Sequence, residues 1–290
     1  MSVRQLPILE YTEYTNRQLV AVPLAVLVVA IAVLGGMWAV TGSPVTLGLE
    51  FTGGTEIQLA AMDDGPVAES TIRSAFAATP ASIRTIPGDE STVVTFGQGV
   101  EATELETQAQ AAGLTVSSVS SVSASFGGET QRLAIMGVAI AFAGMSLIVF
   151  ALFRVFVPAV SIVISAFSDI MIPLAVMSLL QIELTLGTVA ALLMLIGYSV
   201  DSDILLTTNV LRRTGDFYES TYRARTTGIT MTVTSIVAMF VMAVVAFLFG
   251  IDLLTAIGLV LVIGLSADLM NTYLLNVALL RWYKFTGVAR

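Results

Sequence analysis

The chain of 290 residues has no cysteine, so no disulfide can staple any part of it. It has no histidine, and so lacks the usual proton shuttle of neutral pH and the commonest metal ligand. Its one lysine is Lys284, and no G-x-x-x-x-G-K-[ST] phosphate loop occurs. An ATP-hydrolysing motor of that kind is excluded. Charge is scarce as well: 12% of residues are Asp, Glu, Lys or Arg, about half the ~25% usual for soluble domains.

What remains is apolar. Hydrophobic residues make up 56% of the chain, and the mean hydropathy is +0.89. Six segments, near 18–40, 133–153, 156–180, 184–211, 227–249 and 253–280, reach the ~20 residues that a helix needs to span hydrocarbon. The first is read as a retained anchor. Glu10 and Glu13 precede it, it exceeds a signal-peptide core in length, and no A-x-A site follows.

Basic residues set the expected orientation. Arg4 and Arg17 precede helix 1, and Arg154 separates helices 2 and 3. Arg212, Arg213, Arg223 and Arg225 separate helices 4 and 5, and Arg281, Lys284 and Arg290 close the chain. The positive-inside rule puts both ends in the cytoplasm of a cell membrane, multi-pass. Residues 1–17 are then a cytoplasmic N-terminus, and 132–290 a five-helix domain.

Residues 41–131 form the one expected soluble domain, on the extracytoplasmic side. GTEIQLA (54–60) alternates as a strand, and PVAESTIRSAFAA (66–78) opens with Pro66 and has helical apolar spacing. SIRTI (82–86) and STVVTF (91–96) read as strands around a Pro-Gly-Asp turn. VEATELETQAQAAG (100–113) reads as a helix and LTVSSVSSVS (114–123) as a final strand. The order βαββαβ predicts an α+β ferredoxin-like unit with no catalytic constellation. The fold class is therefore a polytopic α-helical membrane protein with one such domain between helices 1 and 2. The domain carries eleven acids against Arg73 and Arg84, a net charge of −9, which repels anionic partners such as nucleic acid. With a pI near 4.5, it suits a high-salt habitat.

The domain opens with LGLEFTGGTEIQL (47–59). This box and the layout around it resemble the SecF family of protein-export membrane proteins, in the RND transporter superfamily. Phe51, Thr52, Gly53 and Gly54 match the family's D-F-T-G-G box, with Glu50 where Asp is usual. Ile196-Gly197-Tyr198-Ser199-Val200 matches its helix 4. The continuation Asp201-Ser202-Asp203, with Asn209 further on, is closer to the V-D-A-N-V-L-I of the companion SecD family. The resemblance implies a subunit of the Sec export machinery. Its implied partners are a SecD-like membrane protein, the Sec channel and exported unfolded polypeptides, with no cofactor. Other readings are an ion-driven small-molecule exporter and a scaffold without ion coupling. An intramembrane aspartyl protease is disfavoured, because G-Y-S-V-D and G-L-S-A-D depart from the G-x-G-D box of those enzymes.

Four acids lie inside the apolar segments: Asp169, Asp201, Asp203 and Asp268. A charge at mid-bilayer costs ~2.5–3.5 kcal/mol or more, so such residues read as functional by default. Ile196–Asp201 matches Ile263–Asp268, which suggests that the helix 3–4 and 5–6 hairpins are a parallel repeat. Gly197 and Asp201 share one helical face, as do Gly264 and Asp268, and each glycine is expected to let a neighbouring helix approach. Asp203 lies about 200° round from Asp201, beside Ser199 and Thr207. Ser161, Ser165 and Asp169 follow one another at i+4 on helix 3. The expectation is an ion-coupling site or polar seam led by Asp201 and Asp268, with Asp169 near and Asp203 secondary. No metal cluster is expected.

Overall fold

A computed structural model describes residues 11, 13–60, 65–86, 91–212 and 217–286. Six helices among these are long and apolar enough to cross a membrane. The first, α1, spans Asn16–Thr41. Thr15 and Gln18 close a capping box at its start, satisfying amides that the first turn leaves open. Gly42 ends it in the left-handed region.

A short helix α2, Leu49–Thr52, leads into the soluble domain. There follow β1 (Gly54–Leu59), α3 (Glu69–Ala75), β2 (Pro80–Thr85), β3 (Thr92–Phe96), α4 (Ala102–Ala111) and β4 (Val116–Val122). The strands form one antiparallel sheet in the order β2-β3-β1-β4, as the βαββαβ pattern predicts. Ile57 pairs with Val94, and both are fully buried. A slip of one residue would turn that row outward, so burial fixes the register. Ile72 and Phe76 near α3, and Leu105 and Ala109 of α4, cover the same face and close the core with Leu59 and Phe96. Each large side chain buried there contributes about 1.5–3 kcal/mol.

The chain re-enters the helical layer through α5 (Ala124–Phe153), which starts nine residues before the expected 133. Then come α6 (Phe156–Leu180), α7 (Leu186–Arg212), α8 (Phe217–Leu248) and α9 (Asp252–Met270). The last helix widens into a π turn at Asn271–Asn276 before α10 (Val277–Thr286). The α6 and α7 helices are the most enclosed, while α5 and α8 present most of their surface outward. That exposed surface is apolar, as lipid requires. The sequence therefore encodes a multi-pass membrane protein.

Two contacts tie distant parts together. Arg281 of α10 donates from Nη1 to the Tyr11 carbonyl (2.6 Å) and from Nη2 to the Tyr14 carbonyl (2.9 Å), and it also bonds Asn16. The start of α1 and the end of the chain therefore lie on the same side of the helices. On the opposite side, the stretch before α2 docks on the α6–α7 turn. Gly48 N–H donates to the Leu184 carbonyl (2.9 Å), and Leu184 N–H to the Thr46 carbonyl (2.7 Å). Arg84 of β2 reaches Glu183 in that turn at 3.2 Å.

Candidate functional site

The Glu50-Phe51-Thr52-Gly53-Gly54 box is a joint between the domain and the helices. Glu50 accepts the Leu186 amide (3.1 Å) at the start of α7, and Phe51 is buried. Gly53 (φ 68°) and Gly54 (φ 125°) hold backbone angles that glycine alone adopts at low cost. They turn the chain from α2 into β1. Gly127 of α5 completes the joint. A Cβ there would stand 2.8 Å from the Gly53 nitrogen and 3.0 Å from the Phe51 oxygen. The box acts through backbone geometry.

The polar centre lies between α6, α7 and α9. Asp169, Asp203 and Asp268 are each at most 1% exposed. Asp169 accepts the Ser199 hydroxyl (2.6 Å) and the Asn271 amide (2.6 Å). Asp203 Oδ1 accepts the Asn276 amide (2.5 Å) and lies 2.7 Å from the Thr272 hydroxyl. That hydroxyl is also 3.2 Å from Asp268 Oδ1, and Ser202 donates to Asp268 from 3.0 Å. Ser161 donates to the Asn276 side-chain oxygen (2.5 Å). The serine ladder on α6 thus joins the network as its i+4 spacing suggests. Pro173 has no N–H, so the helical bond that would serve the Asp169 carbonyl is missing.

The π turn explains how one helix supplies so many partners. Its wider winding presents Asn271, Thr272 and Asn276 to the same centre as Asp268. Such turns are rare and recur at functional sites. Thr272 and Asn276 were not singled out from the sequence. Their i+4 spacing from Asp268 was the available signal, but the π turn has no side-chain signature.

The arrangement corrects two sequence expectations. Asp201 is exposed in this chain and stands outside the cluster, while Asp203, expected to be secondary, is at its centre. The two are about 200° apart on one helix, so only one can point inward. The inward face is the one carrying Ser199, Asp203 and Thr207, all at most 1% exposed. Gly197 shares the outward face with Asp201, and nothing lies within 4 Å of where its Cβ would be. It serves no close approach here. Gly264 does: a Cβ there would run into the side chain of Leu195 on α7. The matched positions of the two hairpins therefore sit in different surroundings.

Among the described residues, none of the ion pairs involves these three acids; they fall between Arg73, Arg84 or Arg223 and surface or junction glutamates. The centre can therefore exchange protons or hold a cation, with hydroxyls and amides orienting the carboxylates.

Fold and site together define a polytopic membrane protein with an acidic core and one small α+β domain on its outer loop. Residues 102–286 match the family model for the C-terminal part of the protein export membrane proteins SecD/SecF, and residues 38–61 match the SecD/SecF GG motif. The protein-export membrane protein SecF of Haloferax volcanii is 64% identical over 285 residues, covering 98% of each chain. Its counterpart in Methanolacinia petrolearia is 40% identical over 284 residues, covering 96% of this chain and 97% of the relative. The crystal structure of SecDF, a translocon-associated membrane protein from Thermus thermophilus, superposes with a TM-score of 0.74 at 23% identity. It covers 93% of this chain, which spans 38% of the SecDF chain. The chain belongs to the SecD/SecF family of protein-export membrane proteins.

Proposed function

We propose that the chain is a SecF-like auxiliary subunit of the Sec protein-export machinery. It acts with a SecD-like partner, beside the Sec channel, on unfolded polypeptides leaving the cell. The observation that carries this is the near full-length identity to SecF relatives. The length relation to SecDF supports the partner, because this chain superposes on little more than a third of that protein.

The geometry suggests a division of labour. The buried acids of α6, α7 and α9 are the part that responds to an ion gradient. The box at 50–54 and the Arg84–Glu183 contact pass a change in the helices to the outer domain. Asp201, exposed in the isolated chain, faces the partner: a carboxylate turned to lipid would cost several kcal/mol. Basic residues on the side that holds both chain ends make that side cytoplasmic.

Copurification tests the reading. The tagged chain should bring down a SecD-like protein from its own membranes, and Asp201→Arg should weaken that recovery. Recovery of a small-molecule exporter's components instead, with normal export in a deletion strain, would contradict it.

A further inference from the structure

The polar centre has more oxygen acceptors than protons to give them. Asp203 Oδ2 and the Asn271 side-chain oxygen are buried without a hydrogen-bond partner, and so are the Ser165 and Ser168 hydroxyls. Both Asp203 and Asn271 are fully buried. Ser165 lies next to Asp203 but forms no hydrogen bond with it. Thr272 has one proton to share between Asp203 and Asp268. A buried acceptor without a donor costs about 1–3 kcal/mol, and more when it is charged. Oxygens left bare in this way fit a positively charged guest.

We propose that α6, α7 and the π turn enclose a site for one dehydrated monovalent metal cation of sodium size. Asp203 Oδ2 is its single anionic ligand, and the Asn271 amide oxygen and Ser165 hydroxyl are neutral ligands. A hard cation prefers such oxygen donors. One carboxylate neutralises one positive charge, so a monovalent ion leaves the site electrically balanced in a region of low dielectric. Asp169 and Asp268 are engaged by Ser199, Asn271 and Ser202, which leaves Asp203 as the acid with a bare oxygen. Among the described residues, no group of three or more Asp, Glu, His or Cys is arranged to hold a metal ion, which disfavours a divalent guest. The π turn is what makes the site: it brings Asn271 to Asp169 and Asn276 to Asp203. The inference gives the proposed ion response a ligand, and rests on that reading only for the role of binding, not for binding itself.

The test uses the purified full-length chain and needs no export assay. Sodium chloride is exchanged for potassium or choline chloride at constant ionic strength. The melting midpoint should be higher in sodium and saturate with its concentration, as expected for a ligand that binds the folded state. Radioactive sodium should bind saturably. Asp203→Asn should remove the sodium-specific part of both signals, and Asp201→Asn should leave them intact. If Asp203→Asn does not fold, Ser165→Ala provides the check, with sodium affinity reduced at least about threefold. Equal midpoints in the three salts would overturn the proposal. So would a sodium response that survives Asp203→Asn. A midpoint that follows pH without cation selectivity makes the guest a proton and overturns it too. Sodium binding with export unaffected by its loss would keep the site and remove the coupling reading.

Discussion

Gly127 and Gly128 are neighbours on α5 with opposite expectations. Replacing either by Ala removes the entropic penalty of glycine in a helix, a gain of about 0.8–1 kcal/mol. Gly128 is exposed with nothing within 4 Å of a new Cβ, so Gly128→Ala should realise that gain. At Gly127 the new carbon would meet backbone atoms of Phe51 and Gly53 at 2.8–3.1 Å. Backbone held by the box cannot swing aside as a flexible side chain can. Overpacking of this kind costs about 1–3 kcal/mol, which exceeds or cancels the helical gain. The two variants should therefore differ by about 1–3 kcal/mol, with Gly128→Ala the more stable. Melting of the purified protein, followed by tryptophan fluorescence and by proteolysis at the domain junction, measures the difference. Equal shifts of the same sign would refute the view that the Gly53-Gly54 box is packed against α5.

Burial raises the Glu183 carboxyl above its usual range, and Arg84 pulls it back down. Such a group destabilises the fold most at neutral pH and less as pH falls through its raised value, since the folded form then binds the extra proton. Arg84→Gln should accordingly weaken docking of the domain by about 1 kcal/mol at pH 7, with a smaller loss near pH 5; Arg84→Gln with Glu183→Gln should recover most of it, as melting curves across pH will show. For topology, the absence of native cysteine gives a clean background. An impermeant maleimide applied outside cells should label Ser120→Cys and spare Arg223→Cys; the reverse pattern would invert the orientation.

The domain was legible because its strands alternate and its helices carry an apolar stripe, so each face is marked by chemistry. Ile57, Val94 and Leu105 could be placed in one core from sequence alone. The transmembrane part is harder for a physical reason. Lipid and protein interior are both apolar, so hydropathy finds a helix but does not say which face is inward. On α7 this left Asp201 and Asp203 as rivals, and a repeat of sequence favoured the one that proves exposed. The ladder Ser199, Asp203 and Thr207, facing Ser161, Ser165 and Asp169, was the better guide: polar groups in a membrane gather where they can bond one another. The π turn was beyond reach, because its extra residue per turn depends on the tertiary bonds of Asn271 and Asn276.

The central claim is that the buried acids, and Asp203 above all, couple the helices to export. Asp203→Asn keeps a side-chain oxygen for Thr272 and Asn276 and removes the charge. Export of a secreted reporter should be measured in cells carrying this variant, alongside recovery of the SecD-like partner. The account predicts normal partner recovery and export reduced to the level of a strain lacking the chain. Wild-type export with Asp203→Asn would contradict it, and would leave the three acids as hydrogen-bonding glue between helices.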